Sequence, residues 1–296
     1  NMKGKAKIKK TWTPLLAVVL GFLIVYAVLF LAPVAWSLVS SVKSDYDFRH
    51  NMFGIPKEWS WDNYPHAFFG FFVEVREGTE LSKVYMTEQF LNSFLYAGGC
   101  ALAATYVPCH VGYLTAKYRY KFSKILTSVV IVCIALPIVG ALPSEIQMAR
   151  KLGLYDNIWG MWILKANFLS MYLLIFQGIF REVPADFSEA AKMDGASALR
   201  IYLQIMLPLV SKTFLTVFLL NFITFWNDYQ TPLVFMPNRP TVAYGLYEFN
   251  QRTDIEFSVV PLKIAGAVLV MLPVLVIFFA FQKKIMGNIV MGGLKG

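Results

Sequence analysis

The feature that most constrains this chain is the length of its uncharged apolar stretches. Residues 14–42, 89–116, 125–144 and 264–282 contain no Asp, Glu, Lys or Arg; 157–180 contains only Lys165, and 213–238 only Asp228. A helix needs about 20 mostly apolar residues to cross the hydrocarbon core of a bilayer. Runs of that length do not occur as buried helices of a soluble domain, and Pro33, Pro108, Pro137, Pro232 and Pro273 inside them are better tolerated in membrane helices. Composition agrees. The chain is 57% hydrophobic and 15% charged, against roughly 45–50% and 25% for soluble domains. The sequence predicts an all-α membrane protein with six transmembrane helices in one domain over residues 1–296. The spans are expected at about 14–42, 89–116, 125–144, 157–180, 209–236 and 261–282.

Six crossings leave both termini on one side, and the basic residues choose it. With the N-terminus in the cytoplasm, the inner segments hold 16 of the 27 Lys and Arg but four of the 18 acidic residues. The formal charge of +9 then follows from topology and requires no nucleic-acid partner. Lys3, Lys5, Lys7, Lys9 and Lys10 precede a first run too long for a signal peptide, so it is expected to persist as the first helix. Cys100, Cys109 and Cys133 lie in apolar runs without Cys-x-x-Cys or Cys/His spacing, so buried small side chains are expected, with no metal site.

The longest inner segment, 181–212, carries the most specific pattern. Asp186 with Glu189 three residues later resembles a capping box, and Ala190 and Ala191 favour a helix. Gly195 is placed to end that helix in the left-handed conformation. A second helical stretch is predicted from Ala196 to Met206, with Pro208 opening the next span. Two short helices joined at a glycine bend suit docking into a groove of a cytoplasmic protein. Ala190 and Ala191 would allow close approach, and Glu189 would offer a carboxylate to an arginine. An amphipathic helix lying in the membrane interface is the alternative.

The spacing of Glu189, Ala190, Ala191, Gly195, Ile205, Leu207 and Pro208 resembles, position for position, the signature of permease subunits of ABC importers. Asp194-Gly195-Ala196 resembles the variant of carbohydrate permeases. Over nearly its whole length the chain is similar to the second permease subunit of maltose-type importers. Pro33-Val34-Ala35-Trp36, Asn92-Ser93, Trp226-Asn227-Asp228-Tyr229 with Pro232-Leu233, and the closing Gly292-Gly293-Leu294-Lys295-Gly296 all take part. The resemblance implies a type I ABC-importer permease fold with a cytoplasmic coupling helix in 181–208. It assigns ATPase coupling to Glu189, Ala190, Ala191, Asp194, Gly195, Ile205, Leu207 and Pro208. It further implies a multi-pass subunit of a bacterial inner (plasma) membrane with both termini cytoplasmic, importing a sugar, and an oligosaccharide above all. Its partners would be a second permease, two ATPase subunits, an extracytoplasmic sugar-binding protein and membrane lipid, with the tail 287–296 inserted between the ATPases. The chain has no Gly-x-x-x-x-Gly-Lys-[Ser/Thr] loop. ATP and Mg are therefore expected on the partner ATPase, with no cofactor and no catalytic residue here.

Span five carries polar groups within the membrane. Val217, Asn221, Thr224 and Asp228 recur at helical spacing and predict one polar face, with Asn221 near the midplane. Phe218, Phe222, Phe225, Trp226 and Tyr229 surround it, and ring faces beside amides suit the C–H faces and hydroxyls of a sugar. Asn221, Thr224, Trp226, Asn227 and Asp228, with Gln177 of span four, are the candidate pathway residues. Helix–helix hydrogen bonding is the alternative for Asn221. Asp228 is expected to form an ion pair with a lysine such as Lys263, and His110 to be a satisfied bundle histidine.

Other function classes fit less well. An intramembrane enzyme needs clustered His, Glu, Asp or Cys, and three scattered histidines do not supply them. A self-sufficient secondary transporter would favour midplane carboxylates and inverted repeats, whereas Asp228 lies near an interface. An importer for another polar solute is the nearer alternative.

Overall fold

The computed structural model describes residues 14–118, 120–136 and 140–289. The basic N-terminal run, Pro137 of the third expected span and residues 290–296 of the tail lie outside the described residues. The chain falls into two compact units, residues up to 67 with 254–268, and 68–253 with 269 onward.

In the first unit, α1 (Pro14–Ser40) is a 27-residue helix whose apolar residues are almost all exposed, as a lipid-facing helix requires. The chain then folds back on itself. Ser44 caps α2 (Asp45–His50), its Oγ accepting the Asp47 N–H at 3.1 Å. The Lys43 ammonium is fully buried and donates to the carbonyls of Asn51 and Met52 at 2.5 and 3.2 Å. A buried cation is tolerable only with such acceptors. Asn63 donates to the carbonyls of Ser41 and Lys43, both at 2.8 Å. Short α3 (Asn63–Gly70) leads into the second unit.

The second unit opens with an antiparallel hairpin, β1 (Phe72–Glu77) and β2 (Glu80–Tyr85), in register from Phe72 opposite Tyr85 to Glu77 opposite Glu80. Gly78 supplies the positive φ of its tight turn. Val73, Val75 and Val84 point to one side and pack on Tyr244, with Leu233 beside them. The sequence reading assigned no structure here, although the alternation in 72–77 and 80–85 about Gly78 is a hairpin signal.

The spine of this unit is α4 (Met86–Lys117), long enough to cross a bilayer. Against it lie α7 (Ile158–Lys165), α8 (Met171–Glu182) and α12 (Ser211–Trp226). Gly112 lets α8 approach, since a Cβ there would come within 2.9 Å of the Phe176 Cβ and 3.0 Å of the Gln177 nitrogen. Small residues at such crossings are how membrane helices gain packing contacts. The rest is α5 (Lys121–Ala135), α6 (Leu142–Lys151), α9 (Asp186–Met193), α10 (Ala198–Ile201), a π-helical turn 202–206, α11 (Leu207–Leu209), α13 (Gln230–Phe235), α14 (Val242–Gln251) and α15 (Val260–Ile289, which runs through both units).

Among the described residues, α1, α4 and Val260–Gln282 of α15 are single helices long and apolar enough to span a membrane. The other three expected spans are divided. In 125–144 the helix α5 ends at Ala135; 157–180 is α7 and α8 separated at 166–170; 209–236 is α12 and α13 separated at 227–229. Side chains at the breaks account for the last division. The Asp228 carboxylate, one residue before the N-cap Tyr229, accepts the Thr231 N–H at 3.0 Å at the start of a new helix whose third residue is Pro232.

Candidate functional site

The spacing read in the 181–212 segment folds as a knuckle of two short helices. Pro184 follows the end of α8, and the Lys117 ammonium at the end of α4 donates to the Val183 carbonyl at 2.5 Å. That bond holds the start of the knuckle to the spine. The expected capping box does not form. The N-cap of α9 is Ala185, which has no side chain to cap with, and Asp186 is already helical. Asp186 and Glu189 instead lie in the first turn, where their charges favour the positive end of the helix dipole.

The helix ends as expected at Gly195, whose φ is +77°. The Gly195 N–H bonds the Lys192 carbonyl at 3.0 Å and the Ala196 N–H bonds the Ala191 carbonyl at 2.9 Å. These are the paired bonds of a Schellman motif, so the bend is fixed by backbone geometry. The following helix starts two residues later than the sequence predicts. Ser197 is its cap, with Oγ accepting the Arg200 N–H at 3.3 Å. Its second half opens into the π turn at 202–206, where the Leu207 N–H reaches back to the Tyr202 carbonyl. Pro208 has no N–H for the Gln204 carbonyl, and the widened turn absorbs that mismatch. Between 198–209 and α12 the chain bends by 76°.

Beneath the knuckle is a hydrophobic core. Ala191, Ile201, Tyr202, Met206 and Val210 pack with Cys109, Tyr113, Phe176, Phe180 and Val217. The signature residues therefore divide by task. Ala191 is buried, Ile205 and Leu207 pack on the edge of the core, and Gly195 makes the bend. Glu189, Ala190, Asp194 and Pro208 face outward. Around them are exposed apolar side chains that sequence reasoning missed: Phe187 (49% exposed), Met193 (85%) and Leu199 (64%). Their signal was apolar residues on helices too short to bury them.

His110 is not the satisfied histidine that was expected. Its Nδ1 is buried with no hydrogen-bond partner among the described residues. The ring sits instead between Tyr106 (centroids 6.0 Å apart, stacked) and Tyr202 (4.8 Å, edge-on), because aromatic rings fill the volume where a donor would stand.

The polar face predicted on span five is split. Asn221 is buried against α4 and donates to the Thr105 hydroxyl at 3.0 Å. Thr224 and Asn227 lie on the exposed side, each bonded to a carbonyl of its own helix, Leu220 and Ile223. Residues 221 and 224 are about 60° apart around a helix, enough to put them on either side of a packing seam. Trp226 is buried, its Nε1 donating to the Val270 carbonyl at 3.3 Å. Asp228 accepts the Tyr96 hydroxyl at 3.0 Å besides the Thr231 N–H. Gln177 is buried on the α8 side and donates to Thr127 at 3.0 Å. Of the six candidates, only Thr224 and Asn227 present polar atoms outward on one strip.

Comparison with known proteins agrees with this architecture. Residues 110–286 match the family model described as binding-protein-dependent transport system inner membrane component. The galactooligosaccharides transport system permease protein GanQ of Bacillus subtilis (strain 168) is 27% identical over 100% of this chain and 99% of its own length. The maltodextrin transport system permease protein MdxG of the same strain is 27% identical over 100% of both. The diacetylchitobiose uptake system permease protein NgcG of Streptomyces coelicolor (strain ATCC BAA-471 / A3(2) / M145) is 24% identical over 92% of this chain and 86% of that one. In fold, the chain matches one chain of a bacterial ABC transporter involved in the import of the acidic polysaccharide alginate. The TM-score is 0.74 at 21% identity, covering 93% of this chain and 99% of that one. With a family match over most of its length, six apolar stretches and the signature knuckle at 189–208, the chain belongs to the binding-protein-dependent transport system inner membrane components: it is a permease subunit of an ABC importer, a transport protein of the membrane and not an enzyme.

Proposed function

We propose that this chain forms half of the translocation pathway of an ATP-driven oligosaccharide importer, with the knuckle at 185–208 seated in a groove of a cytoplasmic ATPase. The observation that carries the coupling role is the knuckle's build. A rigid bend locked by Gly195 stands on the hydrophobic core under Tyr202 and Met206, while Ala190, Met193 and Phe187 are exposed among the described residues. Exposed apolar side chains rimmed by charge mark docking surfaces. Glu189 and Asp194 supply that rim for basic groups of the ATPase. The family's binding-protein-dependent character supports a substrate-binding protein and ATPase partners. The complex would be a permease heterodimer with two ATPases and an extracytoplasmic binding protein, both termini of this chain being cytoplasmic. ATP and Mg would bind only on the ATPases. Relatives named for galactooligosaccharides, maltodextrin and diacetylchitobiose support an oligosaccharide as substrate. The outward strip of Thr224 and Asn227 is the part of α12 proposed to meet it.

The test is co-purification. The tagged chain expressed in its own cells should bring down an ATPase and a second permease, and the accompanying binding protein should bind an oligosaccharide in calorimetry. Uptake by the chain alone, driven by an ion gradient and indifferent to ATP, would overturn the proposal.

A further inference from the structure

We propose that a cleft between the ends of α4 and α8 and the start of α5 binds the headgroup of an anionic phospholipid. The open cleft has a volume of about 1390 Å³ and is lined by Lys117, Lys121, Lys124 and Arg181, with Tyr120 and Glu182 beside them. Among the described lining residues there are thus four cations and one carboxylate. The helix α5 begins at its wall after Tyr120, with no acidic residue in its first turn and no side-chain cap. Its first-turn N–H groups add to the positive potential, as at other phosphate-binding helix starts. The wall is built without a ligand. Lys117 is tied to the Val183 carbonyl, and the buried Ser123 hydroxyl donates to the Thr115 carbonyl at 2.9 Å.

The height of the cleft selects a lipid over a free anion. The membrane-crossing helix α4 ends at Lys117, and the apolar run of the third expected span starts at Ile125, which lines the same cleft. From Ile125 the exposed apolar surface of α5 continues through Val129 and Val132, where acyl chains would lie. Tyr118, Tyr120 and Phe122 are exposed beside the cations, as aromatic residues are at the headgroup level. Basic clefts between membrane helices take anionic headgroups for this reason. The assignment holds for whichever leaflet the 117–124 loop adjoins, so it stands apart from the coupling role.

The experiment is native mass spectrometry of the chain purified with its partners, titrated with phosphatidylglycerol or phosphatidylcholine. The wild type should retain phosphatidylglycerol in preference to phosphatidylcholine. Lys121→Gln with Lys124→Gln, both exposed on the first turn of α5, should weaken phosphatidylglycerol binding about tenfold, and Lys121→Arg with Lys124→Arg should restore it. Excess inorganic phosphate should leave the lipid in place. Equal phosphatidylglycerol binding by the wild type and the glutamine pair would overturn the site. Displacement of the lipid by inorganic phosphate would overturn the lipid assignment. Loss of the ATPase from the glutamine pair, with lipid retention unchanged, would give the cleft to the ATPase instead.

Discussion

At Gly195 a single backbone angle sets the shape of the knuckle. A φ of +77° costs an ordinary L-residue about 1–2 kcal/mol and a β-branched one more. No atom lies within 4 Å of where a Cβ would stand, so crowding does not contribute and the effect is conformational. Gly195→Asn, which tolerates this region, should keep most ATPase binding in a pull-down. Gly195→Val should lose it while still inserting in the membrane, and equal retention by both would show that the left-handed bend is dispensable. Asn221 is a second residue whose role follows from its partner. Asn221→Leu removes the donor to Thr105 and should lower the stability of the purified complex by about 0.5–1.5 kcal/mol, with transport per folded complex little changed. Thr224→Leu and Asn227→Leu, on the exposed strip, should do the reverse: lower transport, with thermal unfolding within about 0.5 kcal/mol of wild type. A stable Asn221→Leu complex with failed transport would return Asn221 to the pathway.

Elements end where side chains replace backbone bonds, and such ends are what hydropathy does not register. The 209–236 stretch is uncharged but for Lys212 and Asp228, yet it breaks at 227–229, where Asp228 accepts the Thr231 N–H and anchors Tyr96. Asp228→Ala loses both bonds and should destabilise the protein by about 1–3 kcal/mol in thermal unfolding; Tyr96→Phe, losing one, should cost less. An Asp228→Ala protein as stable as wild type would mean that the break is set by Pro232 alone. The same contrast governs what was legible beforehand. Gly195 was readable because positive φ has a residue type of its own. The missing capping box was not: Asp186 has the right chemistry, but the chain enters α9 one residue earlier, at Ala185. The hairpin at 72–85 had a readable alternation about Gly78, which a search for long uncharged apolar runs does not register. The seam between Asn221 and Thr224 depends on which side α4 approaches from, and periodicity along α12 does not contain that.

At the scale of the molecule, the apolar runs and the signature loop identified the class, because bilayer thickness and a gapped motif are both strong constraints. The division of three spans reflects local breaks that only packing reveals. The inside-positive distribution predicts topology directly. In a background lacking Cys100, Cys109 and Cys133, a cysteine at Lys121 should be protected from impermeant reagent in sealed cells, and one at Lys57 labelled. Labelling at Lys121 would reverse the orientation. The central claim is that ATPase closure enters this chain through the knuckle, and substrate-stimulated ATP hydrolysis by the complex reconstituted in vesicles tests it. Ala190→Glu adds bulk and charge to the outward face of α9 without touching the core under Ala191, so the fold should survive. The account predicts intact membrane insertion, weakened ATPase docking, and hydrolysis that no longer rises with binding protein and sugar. Wild-type docking together with wild-type stimulation in Ala190→Glu would contradict it.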